Sequence, residues 1–166
     1  MFVPMMSGAG GGAWQKVSEA DFAGVAAVDV TNLSAGYDYL FALRGVLGSA
    51  VGTYAGRVSI DNGASFLSAA QYKIENAAAA TAWTFGDMAA AAGVKASHDI
   101  VLYDPAAEAR DAMGIALSGA PDATGGNTQR VVGLMVDAPG GGVNGFRFYP
   151  SAGTITGRLV IFRRKV

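Results

Sequence analysis

The stretch YDYLFALRG, residues 37–45, decides the fold class of this chain. Tyr37, Tyr39, Phe41 and Leu43 occupy the odd positions, whereas the charged residues Asp38 and Arg44 occupy even positions. Because successive side chains of a strand point to opposite faces, this alternation predicts a strand with one buried face and one wet face. Strands of this kind are typical of an antiparallel sandwich.

Outward from this stretch, the chain breaks into short apolar runs separated by turn residues, as expected for an all-β domain. The runs predict strands over residues 24–30, 37–45, 56–61, 71–76, 99–103, 112–118, 129–137, 143–149 and 155–163. We therefore expect an all-β fold, an antiparallel β-sandwich that is jelly-roll-like and has about eight to nine strands. The alanine-rich segment 77–96 is predicted to be a long connection, with room for one short helix.

Length and composition agree with a single sandwich domain. A chain of 166 residues is long enough for one core. Charged residues make up only 15% and glycines number 24, a mixture that suits tight turns and packed sheets better than long surface helices. The net charge is −1, and the basic residues are scattered except for the run Arg163–Lys165. A nucleic-acid partner is not expected, because such a surface needs clustered cations.

The N-terminal residues 1–13 are predicted to form a flexible arm in front of a β-sandwich domain at 14–166. The apolar hexamer MFVPMM is separated from Trp14 by the glycine-rich joint at residues 7–12. The hexamer is either an arm that packs on a neighbouring subunit or a terminus that frays. Its apolar run ends at Met6 without a basic flank, so we expect neither a signal peptide nor membrane insertion.

The sequence contains little that could support catalysis or bind a metal, so we predict a non-enzymatic protein with no cofactor and no metal site. There are no cysteines and there is one histidine, His98, which is interpreted as a surface residue at a strand edge. A catalytic triad needs a group that orients its histidine. The neighbouring Asp99 cannot do this, since it points to the opposite face of the same strand.

The segment SIDNGASF, residues 59–66, is close to the Asp-box of sialidases and related sugar-handling proteins. In that motif the roles are structural, and here Ser59 and Asp61 are predicted to fix a hairpin, with Gly63 in the left-handed conformation and Phe66 as its anchor. A sialidase propeller repeats the motif once per blade, whereas this chain contains it once. The segment therefore predicts a structural turn and not an active site.

Three segments together resemble the domains of surface-exposed virion proteins of tailed phages and gene transfer agents, such as tail fibres, head spikes and decoration proteins. The matching positions are Gly36 to Tyr39, the arginine-containing strand and turn from Arg57 to Phe66, Tyr72, and the turn from Gly153 to Gly157. The resemblance covers about residues 30–75 and 143–163. Asn62 stands where these domains often have glycine, and segment 77–96 matches nothing in them.

This resemblance implies a compact β-sandwich carried on a virion, made in the host cytoplasm, with other virion proteins as partners. It implies a homo-oligomer, with a trimer favoured, and contact with host surface polysaccharide through exposed loops. Decoration or cement of a capsid or tail is the alternative function, and a polysaccharide depolymerase is a further one. Location on the particle, the host and the glycan are left open.

Sugar binding would require exposed aromatic platforms, because an aromatic ring stacks on the apolar face of a pyranose. Four aromatic residues near predicted loops or strand ends are candidates: Tyr54, Trp83, Tyr103 and Tyr149. Each could instead belong to the core, and that interpretation is favoured for Trp83 and Tyr103.

Overall fold

The computed structural model describes residues 12–74, 77–88, 94–107, 112–121, 127–137 and 141–166. These residues form strands and turns, without a helix. The strands are β1 (Gln15–Val25), β2 (Val28–Val30), β3 (Tyr37–Gly48), β4 (Gly52–Ser59), β5 (Tyr72–Ile74), β6 (Ala77–Ala80), β7 (Trp83–Met88), β8 (Ala96–Tyr103), β9 (Ala112–Pro121), β10 (Asn127–Val136), β11 (Gly145–Pro150) and β12 (Ile155–Lys165).

The strands form two antiparallel sheets, which confirms the predicted all-β sandwich. The large sheet has eight strands in the order β1-β12-β3-β8-β9-β10-β5-β6, and the small sheet has four in the order β2-β11-β4-β7. From β1 to β4, and again from β11 to β12, each strand lies in the other sheet from the strand before it. In the large sheet β12 lies between β1 and β3, and in the small sheet β11 lies between β2 and β4. This interlocking of Greek keys is the jelly-roll arrangement. Strands β9, β10, β5 and β6 extend the large sheet beyond it.

The core lies between the two sheets and is rich in aromatic rings. In β3 the inward side chains Tyr39, Phe41 and Leu43 are buried, as the alternation predicted. The ring of Phe41 stacks on that of Phe146 from the small sheet, with centroids 4.8 Å apart. Burying a large apolar side chain contributes about 1.5–3 kcal/mol, so this layer is the main source of stability.

One charged residue departs from the simple alternation of buried and wet faces. Asp38 points to the outer face of β3 and is nevertheless buried. Its carboxylate accepts a hydrogen bond from Arg164 Nε at 2.8 Å and another from the backbone N–H of Asp104 at 3.0 Å. A buried charge is tolerated where it is paired and hydrogen-bonded in this way.

The strand boundaries correct two predictions. The predicted strand 24–30 is two strands, because the chain leaves the large sheet after Val25 and enters the small sheet at Val28. The segment 77–96 was expected to be a connection, but it contains β6, β7 and the first residue of β8. Burial explains the second difference, since Trp83 and Phe85 alternate inward and outweigh the helical propensity of the alanines. With β1 and these additions, the described ranges contain twelve strands, more than the eight or nine predicted.

The N-terminal end of the described chain belongs to the edge of the large sheet. The N–H of Gly12 donates to the carbonyl oxygen of Lys165 at 3.2 Å, and β1 continues this pairing with β12 from Gln15 onward. Residues 1–11 of the predicted arm lie outside the described residues.

Candidate functional site at the loop end of the sandwich

The loop of residues 60–71, here called the Asp61 loop, is held by a serine and an aspartate. The hydroxyl oxygen of Ser59 accepts a hydrogen bond from the N–H of Gly63 at 2.8 Å and donates one to the carboxylate of Asp61 at 2.6 Å. That carboxylate also accepts from the N–H of Ser65 at 2.9 Å and from its hydroxyl. These donors hold the pKa of Asp61 at about 2, with the Ser59 hydroxyl as the largest cause. The predicted roles of Ser59 and Asp61 in fixing the turn are thus present.

The Asp61 loop is not a hairpin, which corrects the predicted setting of the motif. Strand β4 before it belongs to the small sheet and β5 after it belongs to the large sheet, so the loop carries the chain across the sandwich. Gly63 has a φ of 87°, as predicted, and Asn62 before it also has a positive φ of 57°. The hydroxyl of Tyr72 closes the loop, since it accepts from the N–H of Val58 at 2.9 Å and donates to the carbonyl of Leu67 at 2.8 Å.

Three asparagines join the Asp61 loop to its two neighbouring loops. The N–H of Asn32 donates to Oδ1 of Asn62 at 2.6 Å, and Nδ2 of Asn62 donates to Oδ1 of Asn32 at 2.9 Å. Oδ1 of Asn144 accepts from the N–H of Asn62 at 2.7 Å. Asn32 and Asn62 both have positive φ, a conformation that asparagine tolerates better than most residues. The side-chain amides therefore bond to one another and to backbone N–H groups of the neighbouring loops, and so hold three loops together.

Phe66, the predicted anchor, packs on an arginine and not in the core. The guanidinium of Arg147 lies 4.0 Å from the centroid of the Phe66 ring. The same group makes two hydrogen bonds of 2.7 Å to the two carboxylate oxygens of Asp29. A bidentate pair with an aromatic ring over the arginine is a rigid arrangement. It fixes the Asp61 loop against the outer face of the small sheet.

A groove opens beside these loops, between the inner face of the large sheet and the edge of the small sheet. Its volume is about 340 Å³, and its apolar lining includes Leu159 and Ile161 from β12 and Val28 and Val30 from β2. Strand β1 contributes Ser18 and Ala20, since the small sheet does not extend over this part of the large sheet. The groove exists because β1 and β12 continue past the last strand of the small sheet.

Polar groups also line this groove. Thr31 and Asn32 line it, so the asparagine network borders it directly. Asp29 and Arg163 also line it. The guanidinium of Arg163 lies 4.6 Å from the Tyr37 ring, while Asp29 is occupied by Arg147. The groove thus has an apolar floor with hydrogen-bonding groups at its rim, a combination found in binding sites.

The four aromatic residues predicted as candidate sugar platforms differ in burial and lie on different faces of the sandwich. Tyr54 and Trp83 are buried in the core, so neither can present a ring to a sugar; this corrects the prediction for both and confirms the core alternative for Trp83. Burial raises the pKa of Tyr54 to about 12. Tyr103 is 37% exposed on the large sheet, which corrects the favoured interpretation that it belongs to the core. Tyr149 is half-buried on the outer face of the small sheet, with the guanidinium of Arg57 5.4 Å from its ring centroid.

His98 is a core residue, which corrects its interpretation as a surface histidine. It is fully buried, and its ring lies 4.8 Å from that of Tyr54 and 5.3 Å from that of Phe148. Asp99 lies on the opposite face with Arg44, as predicted, so it does not orient the imidazole. Nδ1 of His98 is 2.9 Å from Oγ of Ser118, whereas Nε2 has no hydrogen-bond partner among the residues that the structure describes. In the part of the chain that the structure describes, no three His, Asp or Glu side chains come together as metal ligands.

Sequence reasoning located the Asp61 loop but missed the Arg147 contact and the groove. The alternation of Phe146, Arg147 and Phe148 was a usable signal, because it placed the arginine on the outer face of β11. The groove had no such signal, since it depends on how far one sheet extends beyond the other.

Comparison of the chain with protein-family models, with curated proteins and with solved structures finds no match in any of the three. Among the elements described, none is a helix that is long and apolar enough to span a membrane.

Proposed function

We propose that this protein is a non-enzymatic structural protein of a virion of the tailed-phage type, which joins a neighbouring particle protein through the groove between β1 and β2. The resemblance of the segments around Gly36, Asp61 and Gly153 motivates the virion assignment. The jelly-roll sandwich agrees with the fold that this resemblance implies. The groove is the observation that carries the proposal, and it favours the decoration or spike type of role.

The groove suits an extended segment of a neighbour, because one of its sides is the free edge of a sheet. Strand β2 lies at the end of the small sheet and pairs with β11 alone among the described strands. An incoming strand can pair with such an edge, and its alternate side chains can enter the apolar groove beside it. The described lining contains one carboxylate, Asp29, whereas glycoside hydrolysis uses two. The geometry therefore supports binding better than cleavage of a polysaccharide.

Electron cryomicroscopy of particles that contain the chain tests the assignment. We expect density for the sandwich on the particle surface, with an extended segment of a neighbouring protein beside β2. A lattice-wide distribution would identify a decoration protein, and density confined to a vertex or tail tip would identify a spike or fibre component. If the chain is produced during particle assembly but never co-purifies with particles, the virion assignment is wrong.

A pair of matched variants tests the groove itself. Ala20→Trp places a large ring into the groove, while Ala23→Trp places the same ring on an exposed position of β1 outside its lining. We expect Ala20→Trp to reduce incorporation into particles by at least about tenfold, because the incoming segment loses its site. Ala23→Trp should be incorporated like the unmodified chain. Equal incorporation of both variants would exclude the groove as the contact.

Host glycan contact is a second candidate, favoured by the outer face of the small sheet. There Tyr149 lies beside Arg57, whose Nε donates to the carbonyl of Thr81 at 3.1 Å. Together they offer a ring and a guanidinium, which are common elements of a sugar-binding surface. We expect Tyr149→Ala to abolish binding to a host polysaccharide array and Tyr103→Ala, on the other sheet, to leave it intact. An array without any binding would remove this candidate.

A further inference from the structure

The outer face of the large sheet carries continuous rows of apolar side chains. One row crosses four neighbouring strands through the paired positions Phe162, Leu40, Val101 and Ile115. All four point away from the core, because the residues on either side of them, such as Phe41 and Leu102, point into it. An outer sheet face in contact with water usually carries polar residues at these positions.

Two further rows widen this surface on β8, β9 and β10. Leu117 pairs with Val131, and Tyr103 pairs with Met113. These four are 37–57% exposed and make up half of the eight exposed large apolar side chains in the described ranges. Such side chains occur singly on most surfaces, so four on adjacent strands need an explanation. We call the outward side chains of β12, β3, β8, β9 and β10 the outer apolar face.

The charges at this face are paired within the chain. Arg44 contacts Asp99 at 2.5 Å, and Arg164 contacts Asp38 at 2.8 Å. Arg158, on β12 at the margin of the face, is paired with Asp21 of β1 in the same way. A nucleic acid or an anionic polysaccharide would need free cations. A surface whose charges are already paired can instead pack against a copy of itself without repulsion.

We propose that the outer apolar face packs against the same face of a second copy of this chain. Five strands about 4.8 Å apart and three rows about 7 Å apart cover on the order of 500 Å². A stable interface buries about 800 Å² on each partner, so the outer apolar face, with its paired charges, would supply more than half, and the surrounding rim would supply the rest. Sheets pack well face to face, and a contact between identical faces closes the assembly with two-fold symmetry.

Two exposed valines provide a matched test of this contact. Val131 lies on the outer apolar face and Val51 lies in the loop between β3 and β4; they are 57% and 70% exposed. We expect the purified full chain to self-associate in sedimentation equilibrium. Val131→Arg should raise the dissociation constant at least about a hundredfold, because it buries an unpaired charge, and Val51→Arg should not change it. A monomeric unmodified chain, or an assembly that Val131→Arg leaves unchanged, would overturn the proposal.

A second measurement covers the case in which Val131→Arg fails to fold. The chain has no cysteine, so Val131→Cys and Val51→Cys each introduce a single thiol. In the assembled protein, a maleimide should label the thiol at 131 at least about tenfold more slowly than the thiol at 51. Equal rates would contradict the contact. Both experiments use purified protein, so their outcome is independent of the proposed role on a particle.

Discussion

The imidazole Nδ1 of His98 lies 2.9 Å from the hydroxyl oxygen of Ser118, and both side chains are buried between the sheets. This places the only histidine of the chain in an apolar layer, with Tyr54 and Phe148 against its ring. Burial lowers the pKa of His98 to about 3, with a smaller contribution from the nearby Arg44 guanidinium. The histidine is therefore neutral wherever the protein is folded and the pH is near neutral.

The first prediction follows from this depressed pKa. In the unfolded chain His98 binds a proton below about pH 6.5, whereas in the folded chain it stays neutral down to about pH 3. Acidification through this window therefore favours unfolding. We expect the free energy of unfolding to fall by about 3 kcal/mol between pH 7 and pH 4, as measured by urea denaturation at a series of pH values.

The control for this prediction is His98→Asn, which removes the titrating group and keeps an amide that can reach Ser118. The variant should be less stable at pH 7, because it leaves a cavity, but its stability should change much less between pH 7 and pH 4. Carboxylates with lowered pKa, such as Asp61, add their own dependence only at lower pH. A slope that persists in His98→Asn would assign the effect to another group.

The second prediction concerns the carboxylate of Asp61. Its pKa of about 2 depends on hydroxyl groups of Ser59 and Ser65 that favour the charged form. Ser65→Ala should raise this pKa toward the ordinary 3.8, while Ser68→Ala, at an exposed serine of the same loop, should not. The carboxyl carbon shift measured by NMR during an acid titration gives both values. Because the folded pKa is lowered, the stabilising effect is present above about pH 4 and is lost toward pH 2. An unchanged pKa in Ser65→Ala would contradict the proposed cause.

The third prediction separates backbone strain from hydrogen bonding at Asn62. Asn62→Ala removes both side-chain bonds to Asn32 and places alanine at a φ of 57°. We expect a loss of about 2 kcal/mol in the free energy of unfolding. Asn62→Gly removes the same bonds but tolerates this φ, so it should cost less than half as much. Equal losses in chemical denaturation would mean that strain at this position is negligible.

The fourth prediction concerns the close packing at Gly56 of side chains from three neighbouring strands of the small sheet. A Cβ at this glycine would lie 2.7 Å from Cζ of Phe85 and 3.0 Å from Cε2 of Phe146. Gly56→Ala should therefore destabilise the fold by about 1–3 kcal/mol, since both rings must shift. Gly141→Ala is the control, because nothing lies within 4 Å of its Cβ position and it lies outside the outer apolar face, so it should be neutral or slightly stabilising. If both variants have the same thermal midpoint, the packing described at Gly56 is wrong.

The alternation in residues 37–45 was sufficient to predict a strand, its buried face and an all-β sandwich. Period-two alternation is a local property, so it can be read before any partner strand is known. The turn chemistry of the Asp61 loop was predictable for the same reason, because Ser59, Asp61 and Gly63 interact within a few residues of one another. The strands in segment 77–96 could not be predicted from local pattern. They form because Trp83 and Phe85 are buried against residues that are distant in the sequence.

The sequence by itself therefore determined the fold class and the local geometry of one loop, because both depend on neighbours in the chain. Only the tertiary structure decided that His98 and Tyr54 belong to the core. It also decided that a groove opens beside β2 and that apolar positions of five strands align on one outer face. These features depend on strand register and on how far one sheet extends beyond the other. Both are set by pairing between residues that are far apart in the chain.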